Sequence, residues 1–398
     1  MAQPRVTTSI QWRSPLLAVL SYGFRPFFLL GAAFAAIAIP LWLLMLALGV
    51  APAGPFQGMR WHAHEMIFGY LAAIIAGFAL TAVPNWTGRL PLSGVPLAGL
   101  VGLWLAGRLA SSFITSITWA AVIDMMFLFA LAAAIWREIL AGKNARNVPI
   151  ALLITIFALA NLQFHLEGVW PELQGYGQRL ALGVTILLIA LIGGRITPSF
   201  THNWMARMGL EARPEAFGWF DKLALALLVI AAVCWIVQPM ALPSGLALLA
   251  ASVVHLVRLL RWRGMWTAQE PILLVLHIGY LWLVVSLALL GVSALTPFYL
   301  APSTAMHALT AGAIGTMTLA VMTRASLGHT GREIKAGGAT LAIYVLVNMG
   351  ALLRVAAPLF PGDYLNALAL SGIVWSAAFA LFVLSYGPIL LRPGEGRI

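Results

Sequence analysis

The chain carries a short cluster of polar side chains, Trp61-His62-Ala63-His64-Glu65, at the start of a long apolar stretch. Polar groups are costly inside a bilayer, so their presence in an apolar segment predicts a functional site. Neutral imidazole is also the usual protein ligand for haem iron and for copper. The eight histidines of the chain are therefore the first candidates for chemistry. Which of them can meet depends on the segments that carry them.

Composition identifies those segments as membrane spans. Of the 398 residues, 62% are hydrophobic and 9% are charged, and the mean hydropathy is +0.94. Stretches of about 20 apolar residues are long enough to cross a bilayer as helices. We therefore predict one all-α integral membrane domain, residues 1–398, with twelve transmembrane helices. The predicted spans are 27–49, 64–83, 96–113, 117–136, 148–168, 179–197, 219–237, 242–260, 271–291, 301–323, 339–357 and 365–391.

The net charge of +11 reflects topology rather than nucleic-acid binding. With the N-terminus inside, nineteen of the 23 Lys and Arg residues fall on the inner side. Arg60, Arg179 and Arg354 fall outside, and Arg108 lies within the third span. Basic residues concentrate in cytoplasmic loops, so both termini are predicted to be cytoplasmic. The lipid bilayer is the expected surroundings of the chain.

An internal repeat relates the outer spans. At an offset of 242–243 residues, spans 1–4 align with spans 9–12, and His64 falls on His307. A weaker match at an offset of 114 brings Gln178 of span 6 to the same position. Chance alignment of apolar sequence is the alternative for this middle copy. Copies of four spans share one orientation, so a pseudo-threefold bundle of units near 20–137, 146–263 and 264–391 is predicted.

His64 and His307 are the predicted axial ligands of a haem, because they are repeat-equivalent, embedded and on the same side of the membrane. Gly69, Gly312 and Gly315 either leave space beside them for a flat cofactor or serve close helix packing. His62 is also a haem-ligand candidate. It points about 200° away from His64 on a regular helix, so it can instead serve a second centre such as copper.

The remaining polar candidates are weaker. His165 is the expected partner of His62 at a copper site, and His277 and His329 are further copper candidates on the cytoplasmic side. Glu65 is the expected catalytic residue, as a proton donor, with Asp124 and Glu167 on the same path. For two other histidines, His202 and His255, a position at the membrane interface is the simpler alternative to metal ligation.

Several motifs together resemble the NnrS family across nearly the whole chain. They are Gly-Phe-Arg-Pro-Phe-Phe (23–28), Trp-His-Ala-His-Glu-Met (61–66), Ala-Val-Pro-Asn-Trp-Thr-Gly-Arg (82–89), Gly-Gly-Arg (193–195), His-Ala-Leu-Thr-Ala-Gly-Ala-Ile-Gly-Thr-Met (307–317) and Arg-Ala-Ser-Leu-Gly-His-Thr-Gly-Arg (324–332). The resemblance implies a bacterial inner-membrane protein that carries haem and copper and acts in the response to nitric oxide.

The twelve-span organisation is also similar to the catalytic subunit of haem-copper oxidases and nitric oxide reductases. There the second and tenth helices supply both axial ligands of a low-spin haem, which again points to His64 and His307. This chain has Gln178 at the span-6 position and no adjacent pair of histidines after it, so an oxidase-type binuclear centre cannot be transferred. The single cysteine, Cys234, excludes a CxxCH attachment site, and the haem is expected to be b-type.

These features support three functions. The first is a membrane oxidoreductase of the nitric oxide reductase type, with quinol as electron donor. Arg25, Arg89 and Arg332 are its candidates for holding haem propionates or a quinone head group, with interfacial charge balance as the alternative. The second is a sensor that binds nitric oxide or metal without turnover. The third is a twelve-span transporter, which the parallel repeat disfavours because many carriers have inverted repeats.

Overall fold

The computed structural model describes residues 18–394, which form helices joined by short turns. Within that range twelve helices are long and apolar enough to cross a membrane, which confirms the predicted fold class. They are α1 Phe24–Leu48, α2 Met59–Thr87, α3 Val95–Phe113, α4 Ile117–Ala141, α5 Ala145–Leu166, α6 Pro171–Arg207, α7 Trp219–Val237, α8 Leu242–Leu260, α9 Pro271–Leu295, α10 Pro302–Gly328, α11 Gly338–Leu359 and α12 Pro361–Leu391.

The helices form a closed ring in chain order. Each helix packs against the next, and α12 packs against α1. In the apolar 18-residue stretch of α2, 78% of the residues are buried, and in those of α6, α9 and α10 67% are buried, whereas in that of α1 28% are buried. The inner helices therefore include the three that the repeat places in equivalent positions. Large apolar side chains such as Ile37, Leu109 and Leu384 remain on the outer surface, where a bilayer would cover them.

Several helices extend beyond the predicted spans, and the extension of α2 bears on the site. Helix α2 begins at Met59, so His62 and His64 both lie inside it. Hydropathy ends a span at polar residues, but a backbone helix continues wherever neighbouring helices bury those side chains. Trp61 is 3% exposed and His64 is fully buried, so the segment is part of the packed interior. Helix α6 is likewise longer than predicted at both ends.

Three inner helices contain a π segment, in which the hydrogen-bond spacing widens. The segments are Glu65–Leu71 in α2, Ile189–Gly193 in α6 and Ala308–Ile314 in α10. A π turn interrupts the regular pattern and frees backbone carbonyls, which need other donors when buried. In each segment a side chain of a neighbouring helix donates to one carbonyl: Trp104 to Gly69 at 2.9 Å, Arg258 to Ala190 at 2.9 Å and Trp375 to Ala311 at 3.1 Å.

The π segments of α2 and α10 begin one residue after His64 and His307, the two positions aligned by the 243-residue offset. Both segments are seven residues long. Such segments often mark functional sites. The division into three repeat units and the cytoplasmic position of the termini stay predictions, but the local geometry at these two histidines is alike.

Candidate functional site: two buried histidine sites

A cavity of about 290 Å³ lies where α2 and α10 begin, and both helices contribute a histidine to it. The ring centres of His62 and His307 are 6.5 Å apart and their planes differ by 7°. On its other side His62 stacks on Trp42 of α1, with ring centres 4.3 Å apart. The two imidazoles thus line the cavity as a nearly parallel pair. We call this the His62–His307 cavity.

The backbone fixes the hydrogen position on His307. Its Nδ1–H donates to the carbonyl of Ser303, one turn earlier, at 2.6 Å. In the neutral ring this hydrogen bond leaves Nε2 without a proton and available to a metal ion. Metal-bound histidines characteristically use their second nitrogen in this way. The tautomer and the ring orientation of His307 are therefore those that a metal ligand requires.

The spacing of the two rings suits a single metal ion between them. Metal–imidazole bonds are about 2 Å long, so two ligands on opposite sides of one ion place their nitrogens about 4 Å apart and their ring centres about 6 Å apart. The observed 6.5 Å between the ring centres of His62 and His307 is close to that value. On the distance between their rings, these two residues are compatible with holding one metal ion, such as a haem iron, between them.

Basic and polar side chains complete the lining. Arg354 of α11 is 8% exposed, and its Nη1 has no hydrogen-bond partner among the described residues. Arg60 donates to a carboxylate oxygen of Glu167 at 3.2 Å, and both line the cavity. Gln178, the span-6 counterpart of His64 in the weaker repeat, lines it as well. The free donor of Arg354 suits an anionic group such as a haem propionate.

A second site lies on the opposite face of the same α2 segment. His64, Asp124 and His165 offer ligand atoms that all lie within 4.8 Å of one another, and all three residues are buried. Asp124 Oδ2 is 3.1 Å from His64 Nε2 and 3.0 Å from His165 Nε2. Asn161 donates to the same carboxylate oxygen at 2.8 Å. With Glu65 and Arg108, these residues form what we call the Asp124 cluster.

Arg108 joins both carboxylates of the Asp124 cluster. It donates through Nη1 to Glu65 at 2.7 Å and through Nη2 to Asp124. Glu65 also lies 2.9 Å from His64 Nδ1. Two carboxylates and one guanidinium leave an excess of one negative charge if both histidines are neutral. A buried charge without compensation is expensive, so the cluster needs one more positive charge. It is either a second proton on His64, whose two ring nitrogens both face carboxylate oxygens, or a metal ion in place of that proton.

The donor set of the Asp124 cluster is compatible with copper. Imidazole and carboxylate are both copper ligands, and a copper ion would supply the missing positive charge. His165 Nδ1 is buried and has no hydrogen-bond partner among the described residues. Phe56, in the α1–α2 connection, covers the site, with its ring centre 4.4 Å from His64 and 5.0 Å from His165. The cluster is thus closed off by an aromatic side chain.

The two α2 histidines face two different sites, as their spacing predicts, but their partners differ from the expected ones. The repeat pairs His64 with His307, whereas the structure places His62 beside His307. His165 was expected beside His62 and lies instead with His64. A repeat offset gives the depth of a residue along its helix but not the direction in which its side chain points.

The other predicted site residues lie elsewhere. His277 forms a hydrogen bond with Thr201 at 2.9 Å, and His329 packs against Tyr22 and Phe24 outside the spans. Neither belongs to a group of three close metal-ligating side chains within residues 18–394. Partial desolvation by this packing lowers the pKa of His329 from its ordinary value. Their proposed copper ligation stays a prediction.

The two further histidines also have distinct surroundings. His202 is exposed on α6. His255 is buried, with Nδ1 2.7 Å from the Tyr280 hydroxyl and Nε2 3.1 Å from the carbonyl of Ala224. Its neighbour Arg258 is buried and pairs with Asp221 at 2.8 Å. His255 therefore belongs to a buried polar network, and its suggested interfacial position stays a prediction.

The three predicted propionate arginines lie at the far end of the bundle. Arg25 donates to the backbone carbonyls of Leu390 and Arg392, and Arg89 pairs with Glu138 at 2.5 Å. Helix α2 has 29 residues and is roughly 40 Å long at 1.5 Å per residue. That length separates Arg89 from the histidines where α2 begins. Arg332, after the end of α10, is at the same far end.

The three glycines serve close packing rather than space for a cofactor. A Cβ atom on Gly69 would lie 2.8 Å from the Phe34 ring, and one on Gly315 would lie 2.7 Å from Trp375. At Gly312 it would lie 2.5 Å from Trp282. These distances are far below ordinary van der Waals contact, so neighbouring aromatic rings already fill the room.

Sequence reasoning missed several residues that line or support the two sites. Arg354 and Trp42 carried no distinguishing signal, because a basic residue at a helix end and a Trp in an apolar span are both common. Arg108 did carry one, since an arginine inside a span predicts a buried partner. Asp124 one span later was the carboxylate available to it.

Fold and sites together define a multi-pass membrane protein with two adjacent histidine sites inside a ring of twelve helices. The family model described as NnrS protein matches residues 18–393, nearly the whole chain. The chain belongs to the NnrS family. Membership indicates a membrane protein of the nitric oxide response, in a family that generally binds metals. No curated protein shows a significant match to the sequence.

Proposed function

We propose that this protein binds haem and copper in the bacterial inner membrane and uses them to bind and reduce nitric oxide. The observation that carries the proposal is the near-parallel pair of His62 and His307, 6.5 Å apart across a cavity inside the helix ring. Family membership supports the substrate and the metals. A haem bound there would supply a redox-active iron.

Residues of the His62–His307 cavity would hold that haem in place. His62 and His307 provide one imidazole each, and Ser303 fixes the orientation of the His307 ring. Arg354 offers its unpartnered Nη1 to a propionate, and the pair of Arg60 and Glu167 borders the same space. Trp42 packs against His62 and limits rotation of that ring.

The Asp124 cluster would hold the copper and a store of protons. Reduction of two nitric oxide molecules to nitrous oxide and water consumes two electrons and two protons, and membrane quinol supplies the electrons in this proposal. Glu65 is one residue from His64 on α2 and bonds to both His64 and Arg108. That position suits a carboxylate that gives up and regains protons while its charge stays compensated.

The ligand assignment is tested by optical spectra and metal analysis of protein purified in detergent. His62→Ala and His307→Ala should each abolish the spectrum of a six-coordinate haem. His202→Ala, an exposed histidine on α6, is the matched control and should leave the spectrum unchanged. Loss of that spectrum in His64→Ala, with retention in His62→Ala, would refute the pairing.

Turnover is tested separately, with purified protein, quinol and nitric oxide. Nitrous oxide formation above the protein-free background is the expected result, and Glu65→Gln should slow it without removing the haem. The competing function is a sensor that binds nitric oxide without consuming it. Spectral change on nitric oxide addition with no nitrous oxide produced would establish the sensor and reject the reductase.

A further inference from the structure

An apolar cavity of about 90 Å³ lies between α2, α5, α6 and α10, apart from the two histidine sites. Side chains of α2, α5, α6 and α10 line it, among them Ile75, Ile154, Ile192 and Val321. Ile75 lies about 24 Å along α2 from Met59 and about 18 Å from Thr87, at 1.5 Å per residue. The cavity is therefore near the middle of the span, and we call it the central cavity.

The lining of the central cavity offers no free hydrogen-bond partner to a water molecule. The two hydroxyl groups in its lining both donate to carbonyls of their own helices: Thr185 to Ala181 at 2.8 Å and Thr318 to Ile314 at 2.8 Å. A single water needs about 15 Å³ and two or more polar partners. The volume of the central cavity is sufficient for water, but the hydrogen-bond partners that a water molecule needs are lacking. Dry cavities of this kind take up small apolar guests.

The central cavity and the His62–His307 cavity share a wall. Leu71 and Ile314 line both of them. Across the same wall, the Tyr70 hydroxyl of the first cavity lies 2.5 Å from the Thr318 hydroxyl of the second. Two aliphatic side chains and one hydrogen bond thus separate the spaces. The wall between the two cavities at this point thus consists of side chains rather than backbone.

We propose that the central cavity is a binding site for a small apolar gas molecule and supplies it to the His62–His307 cavity. Apolar diatomic gases fit the dry lining, whereas ions and water do not. The supply role rests on the proposed function, because it assumes that a gas is bound or consumed at the histidines. The binding role stands on the lining and volume alone.

Xenon tests the binding role directly, in crystals of the full-length protein under xenon pressure. A xenon peak in the central cavity is expected. Ile192→Phe, which fills the cavity from α6, should remove that peak, whereas Ile230→Phe at a lipid-facing position of α7 should keep it. Ordered water in the cavity, an acyl chain, or no xenon there while xenon binds elsewhere would overturn the proposal.

The supply role has its own measurement, the association rate of nitric oxide with the purified, metal-loaded protein. Ile192→Phe should slow association several-fold, and Ile230→Phe should leave it unchanged. Equal rates in both variants would overturn the supply role even with xenon bound. A protein that reacts with no nitric oxide at all would refute the proposed function, and the xenon result would be unaffected.

Discussion

Replacing Arg108 with leucine should be the most damaging single change in the Asp124 cluster. Arg108 is 6% exposed and donates to two carboxylates, Glu65 and Asp124. Without it, the cluster holds two buried carboxylates and no permanent positive charge. The substitution therefore removes two charge-assisted hydrogen bonds and takes away one positive charge that balances the two carboxylates.

The expected size of the effect follows from that count. Hydrogen bonds to charged groups contribute about 1.5–3 kcal/mol each, and removing one partner of a buried ion pair costs about 3–5 kcal/mol. Arg108→Leu should thus lower the free energy of unfolding by about 3–5 kcal/mol. Asp124→Asn should cost less, because it leaves the Arg108–Glu65 pair intact and keeps one oxygen that can accept hydrogen bonds at the same position.

Titration with denaturing detergent in mixed micelles, followed by helical circular dichroism, measures these free energies of unfolding. Arg137→Leu is the matched control, since the Arg137 side chain is 64% exposed and pairs with Glu138 on the same helix. An exposed ion pair contributes at most about 1 kcal/mol. If Arg108→Leu costs no more than Arg137→Leu, or less than Asp124→Asn, the charge balance described for the cluster is wrong.

Three further predictions concern other parts of the molecule. Trp375→Phe should lower the free energy of unfolding by about 1–3 kcal/mol, because it removes the donor to a buried carbonyl of the α10 π segment; Trp119→Phe, an exposed position, should cost far less by the same detergent titration. Tyr22→Ala should raise the pKa of His329 toward about 6.5 in an NMR titration, because more of the His329 ring is then exposed to water. An unchanged pKa would show that packing against Tyr22 is not the cause of the lowered pKa. Removing copper with a chelator should lower the melting temperature, and a protein with His165→Ala that responds equally would exclude the Asp124 cluster as the copper site.

The sequence was sufficient to predict the helices, because membrane spans depend on length and hydropathy alone. Trp219 and Pro271, for example, begin helices at the predicted starts. Side-chain direction could not be predicted in the same way. A helix turns by about 100° per residue, so one residue of uncertainty in the start of a helix, or one π turn, redirects a side chain toward a different neighbour.

The histidine sites illustrate this limit. Depth along the helices correctly placed His62, His64, His165 and His307 at the same end of the bundle, where they do lie. Which of them pair depends on how α2 is rotated relative to α5 and α10, and that rotation results from packing across the whole ring. The position of Arg354 at the His62–His307 cavity could not be predicted from the sequence either, since only the fold brings α11 to this cavity.

Helix α2 carries one ligand of each histidine site on opposite faces of a single rigid segment, only two residues apart. A shift of this segment that brings His62 closer to α10 would take His64 away from α4 and α5. A movement that favours one site would therefore disfavour the other. Occupation of one site would then alter the geometry available at the other, and thermodynamic linkage would make that influence mutual. Affinities measured with only one centre loaded would then differ from those of the complete protein.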